Sequence, residues 1–213
     1  MNKANLIIIS IFILLNNLIF LNLHSQINNQ IEVKVGDSLI TTIDVQNEIL
    51  TNLIINKQEF TQENIDNKKN YAIKYLIRQS IKKSEIDKYQ IKNYRERDLQ
   101  KYIEKTAKNL NTNQKGLEKI FKQTGIDYQV FIRNHKIELL WNTLIFQLYR
   151  NQTNINIVDV DNEVEKIKEN KSVEEIQKAK ELILNRKKEE KFNLFSRSHF
   201  SNLENTVTIK FNE

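Results

Sequence analysis

The stretch Ile31-Glu32-Val33-Lys34-Val35-Gly36-Asp37-Ser38-Leu39-Ile40-Thr41-Thr42-Ile43-Asp44 decides how the chain folds. Ile31 to Val35 alternate apolar and polar, the period-two signature of a half-buried strand. Gly36-Asp37 turns the chain, and Leu39-Ile40 returns as a second short strand, which makes a hairpin. Thr41 to Asp44 then reads as a capping box. The Thr41 hydroxyl accepts a backbone N–H, and Asp44 stands at the third helical position. An isolated hairpin is marginal in water and needs a further partner. The only other strand pattern is at the far end, where Val207, Ile209 and Phe211 alternate with Thr206, Thr208 and Lys210 over Asn205 to Phe211. The two chain ends are therefore expected to meet in one small antiparallel sheet.

Everything between these strands reads as helix. Val45, Ile49, Leu50 and Leu53 share one side of a first helix that fades near Asn56. Thr61-Gln62-Glu63-Asn64 starts a second, with Ile65, Ala72, Ile73, Leu76, Ile77 and Ile81 recurring at steps of three and four to about Tyr89. A third fits Tyr94 to about Leu110. A fourth fits Asn113 to Thr124, with Gly125 as its left-handed terminator. The fifth, from about Asp127 to Arg150, carries Ile137, Leu140, Trp141, Leu144 and Leu148 on one face. Tyr128, Ile132, Leu139 and Phe146 lie on nearly the opposite face. A helix apolar on both sides is covered on both sides, so it is either the central buried helix or a helix with one face reserved for a bound chain. A sixth fits Val158 to Lys168. A seventh runs from Val173 to about Arg197 behind a capping box of Ser172 and Glu175. The fold class expected is mainly α, a single helical core domain with a small sheet from the N-terminal hairpin and the C-terminal strand.

Composition agrees. The 213 residues include no proline, no cysteine and three glycines, so the usual breakers of long helices are scarce. Without cysteine no disulfide or thiolate chemistry is available. Abundant Asn, Ile and Lys suggest an AT-rich genome, and the glycosylation-type patterns at Asn151 and Asn170 carry no weight in an Asn-rich chain. The net charge is +6 and the pI about 9.3. Runs such as Arg186-Lys187-Lys188-Glu189-Glu190-Lys191 mix both signs, however, as solvated helix faces do, so nucleic acid is not the partner expected. Residues 1–25 have a charged start at Lys3, an apolar run from Leu6 to Leu23 and a small residue, Ser25. That is the layout of a secretory signal peptide, the alternative being an uncleaved anchor. Residues 26–213 are left as the folded body, with an N-terminal part at 31–170 and a C-terminal helix and strand at 172–212. Either way the body is expected outside the cytoplasm.

Motifs for chemistry are missing. His24, His135 and His199 have no HExxH-type neighbours, and three or four metal ligands are not assembled. No GxGxxG, GxxxxGK[ST] or GxSxG occurs. Glu189-Glu190 sits in a charged run. No catalytic residue, metal site, cofactor or small-molecule substrate is expected.

The order of elements resembles the SurA family of periplasmic chaperones, and several local stretches carry the likeness. Val33 to Val45 is similar to the family's opening strand, turn, second strand and capped helix. Ala72-Ile73-Lys74-Tyr75-Leu76-Ile77 followed by Ile81 resembles its long helix. Gly125-Ile126-Asp127-Tyr128-Gln129-Val130-Phe131-Ile132-Arg133 resembles the entry to its central helix. Val158 to Val164, then Leu184 to Lys187, Phe195 and Val207 to Lys210, resemble its later helices and last strand. In that family, prolyl isomerase domains of the parvulin type stand between the sixth and last helices. Here Glu169 to Ser172 fill that place. The resemblance thus implies a periplasmic holdase for unfolded outer-membrane proteins, without isomerase activity, and a tie to the outer-membrane assembly machinery. The alternatives are a membrane-anchored assembly factor, a dedicated partner-binding subunit, and a degenerate isomerase relative with residual activity. A holdase needs exposed apolar or aromatic surface rimmed by charge. The candidate client-binding residues are the helix-borne aromatics Tyr128, Phe131, Trp141, Phe146 and Tyr149, with ordinary core packing as the competing role for each.

Overall fold

In a computed structural model, described for residues 29–169 and 171–212, the first and last strands do meet. Strands β1 (Ile31–Val35), β2 (Ser38–Thr41) and β3 (Ile209–Phe211) form an antiparallel sheet in the order β2-β1-β3. The hairpin pairs Val35 with Ser38 and Lys34 with Leu39, and a bulge lies between Ile31 and Val33. On the other edge of β1, Val33, Lys34 and Val35 pair with Phe211, Lys210 and Ile209. Gly36 opens the tight turn at φ 55°, and its N–H donates to the Thr208 carbonyl at 2.9 Å, which ties the turn to the last strand. The leader read at 1–25 lies outside the described residues.

Helix α1 (Thr42–Ile55) starts on the expected capping box: the Asp44 N–H donates to Thr41 Oγ1 at 3.3 Å, and the Thr41 N–H to Asp44 Oδ2 at 2.9 Å. Then follow α2 (Gln62–Lys88), α3 (Glu96–Asn109), α4 (Gln114–Gln123) and the central α5 (Tyr128–Tyr149). After a short 3-10 turn at Arg150–Gln152 come α6 (Ile157–Glu165) and α7 (Val173–Glu204). The molecule is mainly α with a small antiparallel sheet. Residues Ile31–Glu213 are a single compact unit.

Scarce glycine does not prevent sharp helix ends. At the end of α1, the Lys57 N–H donates to Ile54 C=O and the Gln58 N–H to Leu53 C=O, the paired bonds of a Schellman motif. The same pair of bonds recurs after α2 at Gln90 and Ile91, after α3 at Asn111 and Thr112, and after α4 at Gly125 and Ile126. Lys57, Gln90 and Asn111 therefore occupy left-handed backbone, at φ 55°, 55° and 54°, where glycine is the usual choice.

The interior has two centres. In the first, Val33, Val35 and Ile40 of the sheet pack with Val45, Ile49 and Leu53 of α1, Ile77 and Ile81 of α2, Trp141, Leu144 and Ile145 of α5, and Phe200 of α7. In the second, Leu99 and Ile103 of α3, Leu117 and Phe121 of α4, and Phe131 and Ile132 of α5 pack together with Ile54 and Ile126. The double-faced pattern of α5 follows from this. Tyr128, Phe131, Ile132 and Leu139 pack on the second core, Ile137, Leu140, Trp141, Leu144 and Leu148 on the first, and Phe146 stays exposed.

Three boundaries differ from the sequence reading. Helix α7 continues to Glu204, seven residues past Arg197. Phe192, Phe195, Phe200 and Leu203 form one stripe against the first core, and packing overrides the weak helix propensity of the Ser- and Asn-rich end. Because α7 extends, β3 is confined to Ile209–Phe211, and Val207 packs on the core before the strand begins. Helix α6 ends at Glu165, not Lys168. It lies against α7, with Val160 and Val164 buried and ion pairs from Lys180 to Asp161 and from Lys187 to Glu163, each at 2.5 Å, beside an Arg186–Glu163 contact.

Candidate functional site

The five aromatics singled out on α5 do not converge on one cleft. Tyr128 and Phe131 belong to the second core. There Phe131 stacks on Tyr102 at 5.4 Å between ring centroids and on Tyr128 at 5.7 Å, with Phe121 at 5.0 Å. Phe131 is buried, and Tyr128 is half-buried, its hydroxyl out of water and without a hydrogen-bond partner among the described residues. Burial raises the Tyr128 phenol above its ordinary range, with a smaller push from Glu118.

Trp141 and Tyr149 form the seam on which α7 docks. The Trp141 Nε1–H donates to Ser196 Oγ at 2.8 Å, and its ring meets Phe200 edge-on. Tyr149 stacks flat on Phe195 at 4.8 Å, and its hydroxyl is 2.9 Å from His199 Nδ1. The other nitrogen of His199 is 3.3 Å from the buried Glu85 carboxylate on α2. Trp141 is buried, so it and Tyr149 bind α7 to the body. This is the packing role set against client contact for each of them.

Phe146 is different. It is 55% exposed. It lines a cavity of about 580 Å³ between the head of α3, the outer stripe of α5 and the middle of α7. Leu139 and Thr143 of α5 and Phe192 of α7 complete the apolar part, and Arg95, Asp98 and Glu189 add charge to the lining. Arg95 and Asp98 pair with one another at 2.7 Å. Sequence spacing placed Leu139 and Phe146 on one face. It did not show that α7 would form the opposite wall.

A polar site escaped the sequence reading altogether. Glu48 of α1 and Asn134 of α5 line two cavities, each of about 210 Å³. Asn134 Nδ2 donates to Glu48 Oε2 at 3.4 Å, so the pair stands as a shared wall. One cavity is bordered by Ser38, Leu39 and Ile40 of β2 and by Gln79 of α2. The other holds Tyr71, Tyr75, Tyr102 and His135, with the Tyr102 and His135 rings stacked at 3.5 Å. Glu48 is 7% exposed. Burial pushes its carboxyl up to about 8 against the smaller, opposite effect of the Asn134 bond, so the acid is largely neutral at pH 7. Burial likewise raises the phenols of Tyr75 and Tyr102 and lowers His135, whose charged form Glu138 partly restores. Gln79 is 4% exposed, and its Nε2 donates to Glu138 Oε1 at 2.5 Å. Its Oε1 is buried and accepts no hydrogen bond from the described residues. Lys82 also grips Glu138, at 2.6 Å, and lies 5.7 Å from the Trp141 ring centre. The signal for this site was present. Glu48 stands three residues after Val45 on the buried stripe of α1, and Gln79 and Lys82 interrupt the apolar register of α2.

Among the described residues no group of three His, Asp or Glu side chains is placed to hold a metal ion, and no helix is long and apolar enough to cross a membrane.

No protein-family model matches the chain, and no curated protein matches it. Among solved structures, it is similar to a chain from the work describing the virulence factor PEB4 and the periplasmic protein Cj1289 of Campylobacter jejuni as two structurally related SurA-like chaperones. The identity is 14%, the TM-score 0.44, and the alignment covers 87% of this chain and 100% of the other. Likeness at that level assigns no role to any residue, and the functional reading rests on the geometry above and the motifs quoted at the outset.

Proposed function

We propose that this protein is an exported holdase chaperone that keeps unfolded outer-membrane proteins from aggregating in the periplasm, without isomerase activity, and delivers them toward the assembly machinery. The observation that carries the reading is the groove at Phe146. A large aromatic lies half-bare beside Leu139 and Phe192, with both signs of charge around it. A binder of many unrelated chains requires such a surface: apolar area for affinity, charge for solubility, and no fixed polar pattern to select one sequence. Of the five candidate aromatics, Phe146 makes the contact in this reading. Tyr128, Phe131, Trp141 and Tyr149 hold the helices that shape the groove.

The test is suppression of aggregation. The purified chain, without residues 1–25, should slow light-scattering growth of several unrelated β-barrel proteins diluted from urea, and Phe146→Ser should weaken this at unchanged thermal stability. Failure to slow any of them, together with tight binding of one native protein, would identify a dedicated partner-binding subunit instead. A proline-peptide assay showing rates well above the uncatalysed tens of seconds would contradict the absence of isomerase activity.

A further inference from the structure

We propose that the lysine-rich outer face of the α3–α4 hairpin is a docking surface for an anionic lipid membrane, on which the protein rests without inserting. This surface goes beyond the holdase reading and uses none of the residues of the Phe146 groove.

Charge is unevenly spread over the molecule. Residues 101–123 hold six lysines against Glu104 and Glu118, a net +4 in a chain of net +6. Helices α6 and α7 together hold seven bases against ten acids, a net −3. On the hairpin the lysines keep to the outside. Leu99 and Ile103 of α3 face the second core, and Lys101 and Lys105 each follow one of them by two residues, about 200° around the helix. On α4, Lys115 and Lys119 flank the buried Leu117 at the same angle. Lys108 and Lys122 keep the same spacing from Thr106, which is buried, and from Ile120, which packs on that core. All six lysines are exposed. None of them is in an ion pair among the described residues. Like charges four apart, as at Lys101 with Lys105 and Lys115 with Lys119, cost a helix stability. A merely solvated face is built differently. On α7, Lys178 pairs with Glu174 and Arg186 with Glu190. Helix α2 has an excess of +3 but pairs Lys82, Lys83 and Lys88 with Glu138, Asp87 and Glu85.

The chemistry of the face selects a lipid surface over other anionic partners. Its bases are all lysine, a hydrated point charge, with no arginine fork to read a carboxylate or phosphate in two-point register. Its two aromatics, Tyr102 and Phe121, turn into the second core, so no ring is offered for a nucleobase to stack on. No large apolar side chain of residues 101–123 is exposed, which leaves nothing to enter the hydrocarbon. A diffuse layer of headgroup charge needs neither register nor stacking, and it attracts basic segments within a screening length. Lys108 and Lys115 flank the turn of the hairpin, at the far end of α3 from Arg95, which borders the Phe146 groove. The two places are about 20 Å apart along the helix, so a chain held in the groove and a membrane at the turn do not compete.

The experiment uses the chain without residues 1–25, so that the apolar leader cannot insert, and measures cosedimentation with vesicles. Phosphatidylcholine vesicles containing about one-third phosphatidylglycerol should bind the chain at low salt, and phosphatidylcholine alone should not. Raising the salt from about 0.01 M to about 0.15 M shortens the screening length from about 30 Å to about 8 Å, so affinity should fall at least about tenfold. A lysine at an anionic surface contributes about fivefold to binding. Lys101→Gln, Lys105→Gln and Lys108→Gln combined, or Lys115→Gln, Lys119→Gln and Lys122→Gln combined, should therefore each weaken binding at least about tenfold, with the thermal midpoint level or raised. Lys69→Gln, Lys74→Gln and Lys188→Gln combined removes the same charge from exposed positions elsewhere and should change affinity less than about threefold. Equal binding of both kinds of vesicle, binding of neither, or hairpin variants no weaker than that control overturns the proposal. So does tighter binding of a DNA duplex than of the anionic vesicles at the same salt, which would make the hairpin a nucleic-acid face. Phe146→Ser should leave vesicle binding unchanged. Failure to suppress aggregation, with vesicle binding intact, would instead overturn the holdase reading and leave this surface standing.

Discussion

Replacing Glu48 by Gln should stabilise the fold, by an amount that grows with pH. The side chain is 7% exposed, and among the described residues it receives a long hydrogen bond from Asn134 at 3.4 Å. Its carboxyl rises from 4.5 to about 8 on folding. Between those values the folded chain holds a proton that the unfolded chain releases. The folded state binds more protons there, so stability falls as pH rises, by about 1.4 kcal/mol per pH unit. The contribution of the neutral acid is complete below pH 4.5 and gone above pH 8. At pH 7 the interval crossed is 2.5 units from 4.5, which puts the loss on the order of 3 kcal/mol. Glutamine has nearly the same shape, can hydrogen-bond to Asn134 and never ionises. The difference between variant and wild type should therefore be under about 1 kcal/mol at pH 5, about 3 kcal/mol at pH 7 and approach 5 kcal/mol at pH 9. Groups that do not sense Glu48 cancel in that difference, and the two phenols that do, Tyr75 and Tyr102, are raised above their ordinary range chiefly by burial. Urea unfolding followed by the helical circular dichroism signal, at those three pH values, measures it directly. A difference that does not change with pH, or a wild type more stable than the variant at pH 7, would refute the burial of a neutral acid at this position.

Other expectations concern what holds the elements together. Ser196→Ala strands the buried Trp141 Nε1–H, whose described bond is to Ser196 Oγ at 2.8 Å, and should cost about 1–3 kcal/mol in urea unfolding. Gly125 has φ 75° and open space where a Cβ would be built, so Gly125→Ala isolates the backbone cost of the left-handed region, about 1–2 kcal/mol, and a neutral result would mean that the turn after α4 is not held at that φ. Ending the chain after Thr206 removes β3 and bares one edge of β1, where Val33 and Val35 are now buried. The truncated chain should show a lower thermal midpoint and concentration-dependent association, and an unchanged midpoint would mean that the last strand contributes nothing to the closure.

Period and caps made much of this architecture legible. Thr41 with Asp44 and Ser172 with Glu175 were visible as capping boxes because their chemistry is local, three residues apart, and both formed. The pairing of the first and last strands was legible for another reason: a chain with two strand patterns and a run of helices leaves few ways to satisfy a sheet edge. What stayed hidden depends on contacts far apart in sequence. Helix α7 outlasted its propensity because Phe200 and Leu203 reach the core that Ile81 and Trp141 build. The ends of α1 and α2 fell at Lys57 and Gln90, which no local rule prefers for left-handed backbone, because the helices had to turn back onto shared neighbours.

The same distinction governs function. Phe146 and Trp141 are both aromatic, five residues apart on one helix, and nothing local separates a groove residue from a core residue. Their fates diverge because α7 covers Trp141 through Ser196 and Phe200 but passes Phe146 at a distance that leaves about 580 Å³ open. Glu48 presents the opposite case. An acidic residue on the apolar stripe of a short helix was legible as an anomaly, since core positions rarely take a carboxyl without a partner. What the sequence could not supply was the partner, which lies on α5, 86 positions away at Asn134. Aromatic content alone therefore points poorly to the working surface of such a helical protein. A polar residue standing where the helical period demands an apolar one is the stronger pointer, because the fold sacrifices stability to keep it.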